Sequence, residues 1–188
     1  ADNYDITKTE GTLKVTDRTT KYAIEVVAKS DSATYDGKEH SVSGFDATEF
    51  TVEGHKYTVE GLSASAKGTN AGTYASKVEG TAKVLDAAGN DVTKQFSIKT
   101  IDGKLEIAKA AVTLTSASDS KEFDGNPLTD KNVEAKGFVG NDGATYDVTG
   151  TQTYVGESKN AFSYTLNGDT KADNYDITKT EGTLKVTD

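Results

Sequence analysis

The chain has no cysteine, no methionine and no tryptophan, and it contains one proline, Pro127, and one arginine, Arg18. Without thiols it can form no disulfide bond, no cysteine nucleophile and no thiolate metal site. A single guanidinium cannot build an anion clamp. No apolar run is long enough to cross a bilayer, so we expect no membrane insertion of this segment.

The residues that are present favour a β-protein with a thin core. Thirty acidic residues against 21 basic ones give a net charge of −9, which disfavours nucleic acid and anionic lipid as partners. Hydrophobic residues make up 34% of the chain and the mean hydropathy is −0.58, which is low for a chain that must bury a core. Glycine and threonine are plentiful, and tyrosine outnumbers phenylalanine.

A repeat dominates the sequence. Residues 172–188 repeat residues 1–17 letter for letter, as ADNYDITKTEGTLKVTD. Seventeen unchanged positions indicate a piece of a near-identical tandem array. We therefore interpret residues 1–18 as the C-terminal hairpin of a preceding repeat. Because the ends of the parent protein lie elsewhere, the missing secretion signal carries no information.

A weaker repeat divides the rest of the chain into two domains, residues 19–109 and 110–188. QFSIKTIDGKLEIA at 95–108 aligns without gaps on NYDITKTEGTLKVT at 174–187, and SDSATYDG at 30–37 aligns on SDSKEFDG at 118–125. Residues 106–112, between the domains, contain no glycine, proline or serine. A stiff, closely abutted pair is therefore expected.

The repeated tail has the period of a β-strand. Tyr175 and Ile177 alternate with polar residues, and so do Leu184 and Val186 after the Glu181-Gly182 pair. This pattern predicts two strands joined as a hairpin, with the glycine supplying a positive φ. Similar alternation predicts strands at 22–27, 50–52, 57–59, 112–114, 146–148 and 162–166.

These patterns predict an all-β fold of tandem small domains, each a sandwich or a small open β-fold, with a mixed fold of one helix over a sheet as the alternative. No window has a helical stripe of apolar residues. Residues 83–95 and 127–137 are the least strand-like, and each could contain one short helical turn.

The only histidines, His40 and His55, lie beside predicted turns. Either could exchange a proton with a neighbouring acid, Glu39 or Glu53. No nucleophile motif accompanies them, and the second domain contains no histidine. We therefore interpret them as surface residues and predict no catalytic residues.

Oxygen-rich loops raise the question of calcium, which needs six or more converging ligands. The loops contain Asp86, Asn90 and Asp91; Asp124, Asn126 and Asp130; and Asn141 with Asp142. None matches a calcium-loop pattern, and the same residue types are what turns use. We expect turn chemistry, with no metal and no cofactor.

Tyrosines could stack on sugar rings if they faced solvent. Five of them fall on the alternating apolar positions of predicted strands and are interpreted as core residues with a wet hydroxyl: Tyr4, Tyr57, Tyr146, Tyr164 and Tyr175. Tyr74 and Tyr154 lie in irregular stretches and stay unassigned, so no ligand-binding residue is predicted.

The order of motifs resembles a known family. An aromatic-Asp-Gly turn is followed by GTNAGTY (68–74) or VGESKNAFSY (155–164), then by DVTKQFSI (91–98) or ADNYDI (172–177), and last by G-x-L-x-[V/I]. This resembles the MBG or YDG repeat domains of large bacterial surface proteins and adhesins. The resemblance covers nearly the whole chain. It implies an extracellular, cell-wall-anchored parent protein with no catalytic residues, and domains with a β-grasp-like or immunoglobulin-like all-β fold. Phe123 replaces the tyrosine in the second turn.

The resemblance also raises the question of a Lys–Asn or Lys–Asp isopeptide cross-link. Lys121 with Glu122, and Lys159 with Asn160, supply the residue types. The alternation places most lysines on the wet face of the strands, where that chemistry does not occur.

The function expected is that of a non-enzymatic stalk, in which neighbouring repeats of the same chain are the partners. The rival is a module that binds host mucin, glycan or matrix protein, with affinity accumulating through multivalency. Residues 1–17 are expected to be disordered or to contact another molecule, because an isolated hairpin is marginal in water.

Overall fold

The computed structural model describes residues 4–188, and Ala1–Asn3 lie outside the described residues. The described chain is built from strands and two three-residue 3-10 turns, at Thr93–Gln95 and Ala172–Asn174. The expected all-β class is therefore confirmed. The first turn falls within residues 83–95, as expected, whereas residues 127–137 contain a strand and no helical turn.

Within the described residues, the first half contains nine strands: β1 Tyr22–Val27, β2 Asp31–Thr34, β3 His40–Ser43, β4 Glu49–Val52, β5 His55–Gly68, β6 Gly72–Ser76, β7 Val78–Asp86, β8 Phe96–Ile101 and β9 Gly103–Ala108. The second half contains eight: β10 Ala110–Ser116, β11 Asp119–Glu122, β12 Val133–Lys136, β13 Ala144–Val148, β14 Gly156–Lys159, β15 Phe162–Leu166, β16 Tyr175–Thr180 and β17 Thr183–Thr187. The six further strand segments expected from alternation all lie in strands.

The strand pairings fall into two sets. Every ladder in the described chain joins strands within β1–β9 or strands within β10–β17. Only Lys109 separates β9 from β10. A single residue leaves little freedom between the two halves.

Each half pairs its first two strands in parallel with its last two. In the first half Tyr22 lies opposite Phe96 and Asp31 lies opposite Leu105. In the second half β10 pairs with β16 and β11 pairs with β17 in the same way. These parallel pairs differ from the antiparallel sheets of an immunoglobulin domain.

The predicted acid-Gly hairpins are wrong. β16 pairs with β10, while β17 pairs with β11 and β14, so the two strands around Glu181-Gly182 do not pair with each other. They form one long strand with a bend, which changes partners at the bend. β8 and β9 do the same around Asp102-Gly103.

The glycine at each bend is required by close approach of the partner strand. A Cβ on Gly103 would lie 2.2 Å from the Lys29 carbonyl oxygen, and a Cβ on Gly182 would lie 2.3 Å from that of Ala117. Neither glycine has a positive φ. The acid-Gly pair therefore marks a close approach of two parallel strands. The turn prediction was wrong because a close approach and a turn both require glycine.

The N-terminal copy of the repeat forms no strand in residues 4–17. Its apolar side chains are almost fully exposed, from Tyr4 at 81% to Leu13 at 100%. In the second copy the matching residues are buried, with Tyr175 at 3% and Leu184 at 0%. The hairpin expected at 1–18 is therefore absent from the described part, because this sequence folds only beside its parallel partner strands.

Each half has its own apolar core. The first contains Ile24, Val26, Val59, Val84 and Phe96, and the second is centred on Ala110, Val112, Leu114, Val148, Phe162 and Tyr175. Smaller clusters flank the bends, one around Leu105 and Ile107 and the other around Leu184 and Val186. Within residues 4–188 no helix is long and apolar enough to cross a membrane.

Replacing Gly182 by alanine tests the close approach of the two strands. The new methyl group would collide with the Ser116 and Ala117 carbonyls, so we expect Gly182→Ala to lower the free energy of unfolding by about 1–3 kcal/mol. Gly168→Ala is the matched control, because a Cβ there meets nothing within 4 Å. Denaturant unfolding measures both, and a Gly182→Ala protein as stable as its control would contradict the close approach.

Candidate functional site at the domain junction

The two histidines lie apart from each other and contact no nucleophile. His40 begins β3, and its Nε2 lies 2.8 Å from Oδ1 of Asp36. Asp36 also accepts the backbone N–H of Lys38, and that bond, with the one to His40, holds the pKa of the carboxyl below its usual range. His55 begins β5 and is exposed. These contacts fix a turn.

The oxygen-rich loops are engaged in their own turns. Asp86 accepts the backbone N–H groups of Ala88 and Asn90, and the Asn90 side chain is the largest cause that keeps its pKa low. Asp124 and Asp130 accept backbone N–H groups two residues ahead in the same manner. In the described residues no three acidic or histidine side chains gather as a metal site would require.

The tyrosines divide into three groups. Tyr175 is buried and Tyr57 and Tyr146 are half-buried, which agrees with the core interpretation. Tyr164 and Tyr4 are exposed, so the interpretation is wrong for them. Tyr164 lies opposite Tyr146 on a two-stranded sheet but is 37% exposed, and Tyr4 lacks its partner strands.

The residues considered for an isopeptide bond are held apart by other contacts. Lys121 binds Asp124, at 2.6 Å, and the Asn126 carbonyl. Asn160 is fully buried, and its Nδ2 donates to the Ala117 and Asp130 carbonyls at 2.9 Å each. Asn160 therefore anchors loops around the bend of the second half, a role that its sequence position did not reveal.

The main polar and aromatic cluster of the molecule lies between the halves. Tyr35, from the turn after β2, packs edge-on against Tyr175, with ring centroids 5.4 Å apart. Phe138 packs on the same ring at 5.2 Å. Tyr35 thereby contacts the apolar core of the second half while it also packs against the smaller cluster around Leu105 and Ile107 of the first. We call this cluster the junction.

Asp142 binds the hydroxyl groups at the junction. Its Oδ2 accepts hydrogen bonds from Tyr175, at 2.5 Å, and from Tyr35, at 3.3 Å. Tyr175 Oη in turn accepts the backbone N–H of Val139. Burial, and next the bond to Asp142, hold the pKa of the Tyr175 phenol well above its usual range. The carboxylate predicted to serve a turn therefore joins two halves of the molecule.

A second contact lies beside the first. Asn174 is 1% exposed, and its Oδ1 accepts the backbone N–H of Ala71 at 2.9 Å. Its Nδ2 donates to Oδ1 of Asn70 at 3.1 Å. Gly37 completes the contact, since a Cβ on it would lie 3.2 Å from Val139. The junction thus combines aromatic packing with satisfied amide hydrogen bonds.

At the corresponding end of the first half, a residue of that half itself packs on the equivalent aromatic ring. Tyr22 lies opposite Phe96, in the register position that Ala110 has opposite Tyr175. Tyr22 packs on Phe96 with centroids 5.6 Å apart, and its hydroxyl donates to Glu53. That bond raises the pKa of the Tyr22 phenol. The small Ala110 leaves the room that Tyr35 enters.

Arg18 covers this closed end. Its guanidinium carbon lies 3.8 Å from the centroid of the Tyr22 ring. Its backbone N–H donates to the Gln95 side chain, which itself donates to Asp17. Gln95 corresponds to Asn174 in the repeat. Gln95 binds the segment that leads into the first half, whereas Asn174 binds the first half itself.

Comparison with protein-family models, with curated proteins and with solved structures finds no match to this chain.

Sequence reasoning found the aromatic-Asp-Gly turn but not what the aromatic ring contacts. The signal that could have found it is the difference between the halves at Tyr22 and Ala110. An aromatic residue replaced by alanine at the start of the second domain leaves a gap that a neighbouring ring must fill.

Truncating Tyr35 tests the junction. We expect Tyr35→Ala to lower the free energy of unfolding of the second half by about 2 kcal/mol, because it empties a half-buried aromatic site. Phe123→Ala is the matched control, since Phe123 occupies the corresponding turn and is 50% exposed; its effect should stay within about 0.5 kcal/mol. Hydrogen exchange of the β16 amides measures the effect of both substitutions. Equal effects would contradict the contact of Tyr35 with the second half.

The Tyr175 phenol predicts a pH effect. The fold favours the neutral phenol, so this contribution to stability is complete below the ordinary tyrosine pKa of about 10 and is lost as the pH rises through the raised value. In a spectrophotometric titration we expect Tyr175 to ionise last, after Tyr22 and Tyr146, whose pKa values are also raised. Tyr175→Phe should remove this last step and Tyr164→Phe should retain it; a last step that is unchanged in Tyr175→Phe would refute the assignment.

Proposed function

We propose that this chain is a non-enzymatic spacer, a tandem repeat of a bacterial cell-surface adhesin that projects a binding region away from the cell wall. The observation that carries the proposal is the insertion of Tyr35 into the second half, together with the single residue that separates β9 from β10. A spacer must keep its length under thermal motion, and a buried ring at a one-residue joint opposes bending.

Surface chemistry also favours a structural role. The clearest carboxylate pKa shifts are downward and come from hydrogen bonds within turns, as at Asp86, or between strands, as at Glu157, whose partner is Lys185. A carboxyl that acts as a general acid has its pKa raised toward neutrality instead. The titratable groups of the described chain are therefore arranged as those of a folded support would be.

The proposed location is extracellular, on a cell-wall-anchored parent protein. It is supported by the letter-for-letter repeat and by the resemblance to MBG or YDG domains. Neighbouring repeats of the same chain are the proposed partners. The absence of thiols and methionine suits that location, because oxidation then has few targets in the chain.

The rival function is a binding module for host mucin, glycan or matrix protein. The exposed Tyr154, at 75%, favours it, because solvent-facing aromatic rings can stack on sugars. The two functions differ in what repetition adds. A binding module gains affinity with each copy, whereas a spacer gains length.

The test compares the chain with an extended chain in which residues 18–188 are repeated after Asp188. We expect neither to bind immobilised mucin or matrix protein, while the maximum dimension measured by small-angle X-ray scattering grows in proportion to the repeats. Saturable binding that strengthens in the extended chain, and is lost in Tyr154→Ser, would overturn the spacer and establish the rival.

A further inference from the structure

Three large apolar side chains are exposed together at the end of the second half. Phe123 is 50% exposed, Tyr154 75% and Val155 52%. They flank the last residues of β17, the central strand of its sheet. Phe123 directly follows β11 and its N–H donates to the Thr187 carbonyl, and the other two directly precede β14. We call these three residues the end patch.

The repeat relates the end patch to the junction. In the first half Gly72 of β6 lies opposite Ile107, and in the second half Gly156 of β14 lies opposite Val186. Ile107 and Val186 are equivalent in the gapless alignment of the two domains. The residues that precede the two glycines therefore correspond as well.

By this correspondence the end patch occupies the junction positions of the second half. Tyr154 corresponds to Asn70 and Val155 to Ala71, the two residues that hold Asn174. Phe123 corresponds to Tyr35, the ring that enters the next domain. In the first half the residues at these positions contact the second half. In the second half the residues at the equivalent positions are exposed.

The turn glycines show the same difference. A Cβ on Gly37 would meet Val139 of the following half at 3.2 Å, whereas a Cβ on Gly125 meets nothing within 4 Å. Both glycines have nearly the same positive φ, 77° and 79°. The two turns have the same form, so the end patch lacks only its partner.

The repeat in the sequence indicates what that partner is. The seventeen-residue sequence that ends the second half also occurs at residues 1–17, where residues 18–109 follow it directly. Asp17, the copy of Asp188, is bound to Gln95 of the first half at 2.7 Å. The last residue of one repeat is thereby placed at the Arg18–Tyr22 end of the next.

The chemistry of the two surfaces is complementary. Ala110 opens a socket in the second half, but Tyr22 fills the equivalent place in the first, so Phe123 cannot insert as Tyr35 does. What the first half presents instead is Arg18, the only guanidinium of the chain, stacked on Tyr22. Guanidinium planes pack well on aromatic rings, and two of the three end-patch residues are aromatic.

We propose that the end patch, Phe123, Tyr154 and Val155, is a docking surface for the first half of a following copy, which it contacts at Arg18. In this contact two surfaces meet and no side chain of one enters the other. The joint between repeats therefore differs from the junction within one repeat, where Tyr35 enters the second half. The inference rests on the proposed function, because it supplies the contact between successive repeats of the spacer.

The experiment measures the nitration rate of Tyr154 by tetranitromethane, first in the chain and then in the extended chain defined above. In the extended chain the terminal copy has Tyr154→Phe, so that only the inner Tyr154 reports. We expect its nitration to slow several-fold, while Tyr164, which is 37% exposed on another sheet, keeps its rate. An unchanged Tyr154 rate would overturn the proposal.

Two variants of the following copy identify the contact. Arg18→Ser should restore the fast nitration of Tyr154, and Lys21→Ser, an exposed cation in the same segment, should leave it slow. Protection that survives Arg18→Ser would refute the Arg18 contact, and protection of the single chain by mucin glycan would assign the patch to a sugar. Mucin binding elsewhere would defeat the spacer function without affecting Tyr154 protection, so the two failures are distinguishable.

Discussion

The edge-on packing of Tyr35 against Tyr175 is the contact on which the organisation of the molecule depends. Tyr35 packs on the apolar core of the second half and on the cluster around Leu105 and Ile107 of the first, and the two hydroxyl groups meet on Asp142. Buried aromatic pairs contribute more than their area alone because ring edges and faces attract each other. A joint built in this way resists both bending and twisting, which flexible linkers do not.

The repeated seventeen residues show how far context decides structure here. The same letters form no strand and are exposed at residues 4–17, whereas at 175–187 they form two strands in which Tyr175, Leu184 and Val186 are buried. The difference lies in their partners, because β16 and β17 pair in parallel with β10 and β11 of their own domain. Contacts between distant segments therefore provide most of the stability, and local preference provides little.

The fold class followed from the sequence because alternation is a local property. Strands such as Tyr22–Val27 and Phe162–Leu166 appear where the period of two predicts them. The hairpins were wrong because Gly182 has two explanations in one sequence, a positive φ or a close approach, and only the partner strand decides between them. Turn chemistry at Asp86 and Asp124 was predictable for the same reason that strands were.

The junction could not be predicted in the same way. Tyr35 belongs to a turn in its own domain, and nothing within that turn indicates that its ring enters a neighbour. The decisive difference, Ala110 in the place of Tyr22, becomes informative only when the registers of β10 and β1 are known. Asp142 likewise has the sequence context of a turn carboxylate, and only the structure shows that two tyrosine hydroxyl groups bind it.

The most direct test of the junction is the relative alignment of the two halves in solution, measured by residual dipolar couplings of their backbone amides. If Tyr35 joins the cores as described, one alignment tensor fits both halves of the chain, and Tyr35→Ala separates the tensors. Two different tensors in the unsubstituted chain would contradict the account, because the halves would then reorient independently across Lys109.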